Sequence, residues 1–193
     1  FSYLAQSRAR CEIVLGDARL SLEREQRPPF DILILDAFSG VGSLGLEALS
    51  RGARSCAFIE SGKECVAMLR EHLERTDFAS RAEVLAMRAA AALDALHGRG
   101  AAFDCIFLDP PFALAAEGAF YEDDGLLARV VALCATGGVV MLRREGAPKK
   151  KRDGFKELTL PRGLRSCDRR QWGRNEVVFI ERDSVNARDG GAP

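Results

Sequence analysis

The sequence predicts an α/β fold of the Rossmann-like kind, with a mostly parallel seven-stranded sheet and helices on both faces. Short apolar runs typical of buried strands alternate with segments whose apolar residues recur at helical spacing. A glycine-rich segment joins the first apolar run to the first helical segment. Strands that alternate with helices form parallel sheets with right-handed crossovers. A glycine-rich first turn is typical of the nucleotide-binding members of this class.

Seven segments are predicted as strands, namely residues 31–36, 55–60, 82–87, 103–109, 139–143, 155–160 and 176–181. Helices are predicted at residues 43–50, 63–75 and 124–135, because apolar residues recur there at three- and four-residue intervals. No helical segment separates the last two strands. We therefore expect them to form an antiparallel hairpin at one edge of the sheet.

The length of 193 residues is enough for one well-filled core. We expect one domain at residues 30–183, preceded by an extension at 1–29 and followed by a disordered polar tail at 184–193. The longest nearly uncharged apolar stretch, residues 130–142, is too short to cross a bilayer. No basic segment followed by an apolar one opens the chain. These features predict a cytoplasmic protein without a membrane segment, and we expect a monomer.

Cysteine and histidine are arranged in a way that argues against metal binding. The chain has six cysteines and two histidines, and no two cysteines form a Cys-x-x-Cys pair. A disulfide framework is also unexpected in a chain of this size. We interpret the cysteines as buried, reduced thiols and predict that the protein holds no metal.

Charge is distributed unevenly along a chain whose formal net charge is zero. Between Arg143 and Arg174 there are twelve Lys and Arg against four Asp and Glu, a local excess of +8. Such asymmetry is typical of a surface that faces a polyanion. The alternative is a solvated basic loop. The residues in question are Lys149, Lys150, Lys151 and Arg152.

The first motif lies between the first predicted strand and the first helix, and consists of Asp36-Ala37-Phe38-Ser39-Gly40-Val41-Gly42-Ser43-Leu44-Gly45. Its glycines allow a tight turn and a close approach of the backbone to a ligand. Gly40, Gly42 and Gly45 also satisfy the G-x-G-x-x-G pattern, which alone would equally indicate NAD. A tight strand-to-helix turn without any ligand is the alternative.

The second motif is Glu60, which ends the next strand and lies 24 residues after Asp36. A carboxylate at this place can accept the hydrogens of both hydroxyls of an adenosine ribose. It suits NAD and S-adenosylmethionine alike. The alternative is an acid at the start of a helix, where the helix dipole favours negative charge. The two roles are compatible.

The third motif distinguishes the cofactors, and it consists of Asp109-Pro110-Pro111-Phe112 at the end of the fourth predicted strand. Ligands of open α/β sheets bind beyond the carboxyl ends of the strands, so this motif should lie beside the glycine loop. The two prolines make the turn rigid and remove two backbone donors. Carbonyl oxygens and the Asp109 carboxylate then remain as acceptors, and Phe112 offers a flat face for a base. The alternative is a rigid turn that only caps the strand.

Such a set of acceptors suits the methylation of an exocyclic amino group. The lone pair of that nitrogen is delocalised into the ring, which makes it a poor nucleophile. Two acceptors that hold its N–H bonds can favour a pyramidal nitrogen and aim the lone pair at a sulfonium methyl group. Catalysis of this kind depends on positioning and on charge stabilisation, and it needs no metal.

Residues 30 to about 182 resemble the RsmD-type methyltransferases, which modify the guanine N2 amino group of small-subunit ribosomal RNA. The resemblance rests on residues 35–53, on Phe58-Ile59-Glu60, on residues 107–112 and on Gln171-Trp172-Gly173. It implies the class I S-adenosylmethionine-dependent fold, with RNA as the partner. The implied cofactor residues are Asp36, Phe38, Gly40, Gly42 and Glu60. The implied catalytic residues are Asp109, Pro110, Pro111 and Phe112.

Two features depart from this family. Arg88 stands where the family usually has an Asp near the cofactor adenine, and an arginine cannot accept the adenine amino hydrogens. Residues 11–40 resemble spermidine-synthase-like proteins instead, in which Asp17 would touch the adenine and Asp36 would face the amine. The methyltransferase resemblance makes residues 30–36 the first strand of the sheet, whereas the spermidine-synthase-like resemblance makes them the fourth. We assign them as the first strand. The two alternative functions are an aminopropyltransferase and a catalytically decayed RNA-binding domain.

Overall fold

The computed structural model describes residues 30–146 and 158–182 of the chain. Seven strands form a single sheet in this part of the chain: β1 (Phe30–Ala37), β2 (Ala53–Ile59), β3 (Ala82–Leu85), β4 (Phe103–Leu108), β5 (Cys134–Glu145), β6 (Leu164–Trp172) and β7 (Asn175–Arg182). The helices are α1 (Ser43–Ser50), α2 (Lys63–Arg75), α3 (Ala89–Gly98), α4 (Phe112–Ala115) and α5 (Leu126–Ala132). Short 3-10 helices cover Ala79–Arg81 and Gly118–Tyr121. The predicted α/β class is confirmed.

The sheet has the strand order β3-β2-β1-β4-β5-β7-β6. Strands β1 to β5 are mutually parallel, whereas β7 is antiparallel to both β5 and β6. The predicted antiparallel hairpin is therefore present. Its second strand lies inside the sheet, next to β5, and its first strand forms the edge.

Helices cover both faces of the sheet, as predicted. One core cluster packs α1 and α2 against the sheet through Leu49, Leu69 and Leu73. The other packs α3 and α5 against the opposite face through Leu93, Leu96, Leu127 and Val130. Strand β1 runs between β2 and β4 at the centre, where its apolar side chains alternate between the two clusters. This central position agrees with the assignment of residues 30–36 as the first strand.

Half of the strand predicted at residues 155–160 lies outside the described residues, namely residues 155–157. The described half, residues 158–160, is not in a strand. Leu158 and Leu160 pack partly buried against the core, and Pro161 follows them. The strand lies further on, at Leu164–Trp172. Most residues of this edge strand are only partly buried or exposed, so an apolar run does not mark it. Burial, rather than strand structure, explains the leucines that the sequence pattern detected.

The largest of the other boundary differences lie in α5 and β5. Helix α5 covers Leu126–Ala132 rather than residues 124–135, and β5 begins at Cys134 rather than at 139. Gly137 adopts a φ of 80° within β5, where the pairing of β4 and β5 shifts register between Phe103 and Cys105. Gly137 and Gly138 therefore lie in an irregular strand start.

Helix α1 packs unusually closely on β2, because Gly45 has no side chain. A methyl group at Gly45 would come within 2.7 Å of the Cys56 sulfur and of the Phe58 ring. Phe58 is fully buried, so its ring has no free space into which it could move.

We expect Gly45→Ala to lower the free energy of unfolding by about 1–3 kcal/mol or more, as overpacked cores do. Urea unfolding followed by circular dichroism would measure it. Gly98→Ala is the matched control, because a methyl group at this helical glycine would contact no atom within 4 Å. That substitution should leave stability unchanged or raise it by about 0.4–1 kcal/mol. Equal effects of the two substitutions would contradict the packing argument.

Candidate active site

The three sequence motifs meet at one edge of the sheet. Strands β1, β2 and β4 are parallel neighbours, and their registers pair Ala37 with Ile59 and with Leu108. The residues that directly follow these three are Phe38, which starts the glycine loop, Glu60 and Asp109. The structure therefore brings the predicted motifs together at the carboxyl ends of adjacent strands, where ligands of such sheets bind.

The glycine loop between β1 and α1 is held in an unusual backbone conformation. Phe38 has a φ of 64°, and Gly40 and Gly42 have φ values of 56° and 86°. The Ser39 amide donates to the Ile59 carbonyl at 3.0 Å, and the Gly42 amide donates to the Ser39 carbonyl at 2.8 Å. A bulky residue such as Phe38 in the left-handed region is strained, and such strain is concentrated at ligand sites.

The loop also offers unused space and an unused polar atom. A methyl group at Gly40 would contact no atom within 4 Å, so a ligand can approach the backbone there. The Ser39 hydroxyl oxygen is buried and has no hydrogen-bond partner among the described residues. A buried polar atom without a partner is costly, and a bound ligand would remove that cost. These features fit a nucleoside cofactor on this loop.

Glu60 joins the glycine loop to the start of α2. Its Oε2 accepts the Gly40 amide at 2.9 Å, and its Oε1 accepts the Ser61 and Gly62 amides at 2.8 and 2.6 Å. A carboxylate has about four acceptor positions, so one remains. The carboxylate therefore supports the loop and the approach to the helix while still presenting an acceptor at the edge of the sheet.

Asp36 differs from its predicted place in the cofactor pocket. Its carboxylate is 1% exposed, and Oδ2 accepts the Gly45 amide at 2.9 Å. Burial raises the pKa of Asp36 to about 7; the Gly45 hydrogen bond lowers it, and the charge of Asp109 raises it further. The carboxylate thus supports the loop from within the protein, and its burial leaves a cofactor no direct access to it.

The segment after β4 forms a rigid turn. The Asp109 amide donates to the Ala37 carbonyl at 3.3 Å, which ties the turn to the glycine loop. Pro110 is buried, and Pro111 caps the single-turn helix α4 that begins at Phe112. The Pro110 carbonyl accepts no hydrogen bond from the residues that the structure describes. The turn therefore retains a backbone acceptor next to the Asp109 carboxylate.

Arg143 is a site residue that the sequence motifs did not reveal. Its Nε donates to Asp109 Oδ1, and its Nη1 donates to Asn175 Oδ1 at 3.0 Å. Its guanidinium carbon lies 5.2 Å from the centroid of the Phe112 ring. Oδ2 of Asp109 accepts no hydrogen bond from any other described residue. Arg143 therefore fixes one carboxylate oxygen and leaves the other available to a ligand.

One signal could have revealed this arginine. Strands β4 and β5 are parallel neighbours whose register pairs Leu108 with Leu142. The next residues, Asp109 and Arg143, are consequently adjacent at the carboxyl edge. Aligning the ends of the two predicted strands would have placed opposite charges side by side.

Many of the positive charges in the basic segment, residues 143–174, are engaged in ion pairs. Five of its arginines form ion pairs, namely Arg143 with Asp109, Arg144 with Glu176, Arg165 with Glu181, Arg170 with Asp168 and Arg174 with Glu145. The predicted RNA-binding residues Lys149, Lys150, Lys151 and Arg152 lie outside the described residues, as does Asp17. Arg88 follows β3, is exposed and precedes the first residue of α3.

None of the helices within residues 30–146 and 158–182 is long and apolar enough to span a membrane. Within the same ranges, no three Asp, Glu, His or Cys side chains are grouped as a metal site would need.

The fold and the site together define a class of protein. The strand order, with one antiparallel strand beside β5 and a glycine loop after β1, is the predicted Rossmann-like class I methyltransferase fold. An Escherichia coli protein provisionally described as a methyltransferase shares it at 26% identity and a TM-score of 0.58, over 79% of this chain and 76% of that protein.

Within that class, the chain belongs to the family described as Conserved hypothetical protein 95, whose model matches residues 22–181. YlbH of Bacillus subtilis, provisionally named an rRNA methyltransferase, is 35% identical over 125 residues, which are 58% of this chain and 68% of YlbH. The ribosomal RNA small subunit methyltransferase D of Haemophilus influenzae is 42% identical over 81 residues, or 40% of each chain. The matched part is therefore less than half of that relative.

A solved structure agrees with these relatives. A Haemophilus influenzae protein provisionally described as a methylase has a TM-score of 0.61 and 26% identity to this chain. The match covers 79% of this chain and 87% of that protein. The described fold is thus shared over most of both chains.

The raised pKa of Asp36 makes stability depend on pH. The folded protein retains a proton that the unfolded chain releases, so stability falls as pH rises from about 4 to about 7. Asp36→Asn cannot titrate, and its amide oxygen can still accept the Gly45 amide. We expect the variant to gain up to about 4 kcal/mol of stability relative to the parent between pH 4 and 8. Urea unfolding across this range would test it, and a pH-independent difference would contradict it.

Proposed function

We propose that this enzyme transfers the methyl group of S-adenosylmethionine to the N2 amino group of a guanine in small-subunit ribosomal RNA. The observation that carries the proposal is the tie between the glycine loop and the Asp109–Phe112 turn on adjacent strands. The name of the Haemophilus influenzae relative supports the choice of ribosomal RNA. We further propose that the enzyme acts in the cytoplasm, as a monomer.

In this proposal, the glycine loop and Glu60 bind the cofactor. Phe38, Gly40 and Gly42 shape a loop whose backbone is open to a ligand at Gly40. Glu60 offers its remaining acceptor to a ribose hydroxyl. Asp36 acts as a positioning residue, because it holds the first turn of α1 through Gly45. S-adenosylmethionine, when bound, supplies a methyl group on a positively charged sulfur.

In this proposal, the turn after β4 binds the amino group of the target guanine. Oδ2 of Asp109 and the Pro110 carbonyl can each accept one hydrogen of the amino group, and together they would orient the nitrogen lone pair. Phe112 provides a ring on which the base can stack. Pro110 and Pro111 keep both acceptors at a fixed separation, because proline φ angles are restricted. Arg143 keeps the Asp109 carboxylate in one orientation.

RNA binding is proposed for the basic segment that follows β5. Lys149, Lys150, Lys151 and Arg152 would contact phosphates, which supply affinity without sequence preference. A polyamine substrate, as in the aminopropyltransferase alternative, would need an acidic cleft. Arg143 lies on the only carboxylate of the turn, so the site is less suited to a polycation. RNA is therefore favoured over a polyamine as the substrate.

Glu60 provides the test of the cofactor. We expect Glu60→Ala to weaken S-adenosylmethionine binding by about 1–3 kcal/mol, because hydrogen bonds to a charged group are lost. Isothermal titration calorimetry would measure the affinity. Glu47→Ala is the matched control, because Glu47 is a glutamate of helix α1 whose carboxylate, among the described residues, pairs with Arg51 alone at the surface.

Two outcomes of this titration would contradict the proposal. Tight binding of NADH without binding of S-adenosylhomocysteine would assign the loop to another cofactor. Absence of S-adenosylmethionine binding by the parent protein would favour the decayed RNA-binding domain, for which Arg88 is the motivating residue. Circular dichroism of Glu60→Ala should accompany the titration, because Glu60 also supports three backbone amides.

Arg143 provides the test of the acceptor site. We expect Arg143→Ala to lower kcat by about 10- to 100-fold, since a displaced catalytic carboxylate can cost this much. The affinity for S-adenosylmethionine should stay unchanged, because Arg143 contacts none of the cofactor residues. Methyl transfer to small-subunit ribosomal RNA would be measured with radiolabelled cofactor. Arg143→Lys should recover only part of the rate, since lysine cannot reproduce two fixed donors.

Arg99→Ala is the control for this substitution. Arg99 also forms an ion pair, with Glu83, but at an exposed place away from the carboxyl edge. The Arg99→Ala variant should have the same kcat as the parent. A normal kcat in Arg143→Ala would show that Asp109 needs no positioning by this arginine.

A further inference from the structure

The tip of the β6–β7 hairpin presents the single tryptophan of the chain to solvent. Trp172 is 59% exposed, the highest value among the exposed large apolar side chains of the described residues. Single exposed apolar side chains are common on protein surfaces, so exposure alone indicates nothing. Three further observations, on rigidity, position and charge, distinguish this one.

The tip is rigidly held. The Gly146 amide donates to the Arg174 carbonyl at 2.9 Å, which ties the turn to the end of β5. The Arg174 guanidinium contacts Glu145 at 2.8 Å, and the side-chain Nε2 of Gln171 donates to the Gly173 carbonyl at 3.2 Å. The tryptophan ring is therefore carried by an ordered turn, and its exposure follows from that geometry rather than from a loose loop.

The tip lies on the same side as the proposed acceptor site. Because β7 is antiparallel to β5, the turn before β7 lies at the carboxyl end of β5. Trp172 pairs with Asn175 across the hairpin, and cross-strand partners project from the same face of a sheet. Asn175 accepts a hydrogen bond from Arg143, which lies over Phe112. A continuous row of side chains thus runs from Phe112 through Arg143 and Asn175 to Trp172.

The charge around the tip suits a polyanion. Residues Leu164 to Asn175 contain four arginines and one aspartate. Arg174 is 74% exposed at the turn, although it pairs with Glu145. Arg169 is exposed and forms no ion pair with a described residue. An aromatic ring among arginines is the combination by which proteins bind single-stranded nucleic acid.

We propose that Trp172 is a stacking platform for a second, unpaired nucleobase of the RNA that carries the target guanine. The inference rests on the proposed function and deepens it. Trp172 binds the strand beside the acceptor site, whereas the Asp109–Phe112 turn binds the base that is modified. Stacking accepts any base, so the platform contributes affinity and orientation rather than sequence choice.

The tryptophan fluorescence of the protein reports directly on binding at Trp172, because Trp172 is the only tryptophan of the chain. Titrating the protein with oligoadenylate should quench the tryptophan fluorescence, and the quenching should saturate together with the anisotropy of a labelled oligomer. Trp172→Ala should raise the dissociation constant about 5- to 150-fold, as loss of one stacked base does. The KM for small-subunit ribosomal RNA should rise similarly, with kcat and S-adenosylmethionine affinity unchanged.

Two further variants complete the experiment. Trp172→Phe retains a flat ring and should bind within about threefold of the parent, whereas a purely structural role would make both variants less stable to heat. Met68→Ala is the matched control, because Met68 is also an exposed apolar side chain, on α2, and is 48% exposed. It should change neither binding nor fluorescence.

The outcomes separate this inference from the proposed function. If the parent methylates ribosomal RNA and Trp172→Ala does so with the same KM, the stacking platform alone is overturned. If the parent neither binds nor methylates RNA, the proposed function fails and the platform fails with it. A fluorescence change with ribosomal proteins freed of RNA, but not with oligoadenylate, would assign the tip to a protein partner and overturn the inference.

Discussion

The hydrogen bond from the Gly45 amide to the buried Asp36 carboxylate is the interaction on which the site depends. It joins the end of β1 to the first turn of α1, and so determines the path of the glycine loop between them. Phe58 fills the space that the missing side chain of Gly45 leaves, which prevents the helix from shifting along the sheet. Burying an acid without a cation costs free energy, and the raised pKa of Asp36 is the sign of that cost. The loop contacts Glu60 through the Gly40 amide, and the Ala37 carbonyl before it accepts the Asp109 amide of the turn after β4.

The central strands could be predicted from the sequence because they are buried on both faces. Residues 105–108, for example, form a continuous apolar run within the strand predicted at 103–109, and the structure has β4 at Phe103–Leu108. The edge strand β6 could not be found in this way, because one side of it faces solvent and its residues are mainly polar. Leu158 and Leu160 were misleading, since apolar residues that pack under a loop have the same composition as a strand. Burial is what the pattern detects, and strand structure follows from it only in the sheet centre.

The candidate site was predictable to the extent that it follows from topology. Parallel strands end at one edge, so the motifs after β1, β2 and β4 had to meet once the strand order was known. The direction of a single side chain does not follow from topology, and Asp36 accordingly lies inside rather than in the pocket. Arg143 was counted within a basic segment, whereas its strand register places it against Asp109. Counting charges along a chain cannot show which acids will face them.

The three hydrogen bonds of Glu60 have a consequence for the proposed cofactor. Backbone amides already engage three of about four acceptor positions of its carboxylate. One ribose hydroxyl could therefore bind without displacing an amide, whereas a second could bind only if one of these hydrogen bonds were given up. That exchange would lower the affinity for S-adenosylmethionine and for its demethylated product equally, because the two differ only at the sulfur. Glu60 would then hold the nucleoside of either compound without favouring one, and the choice between them would depend on contacts to the sulfur.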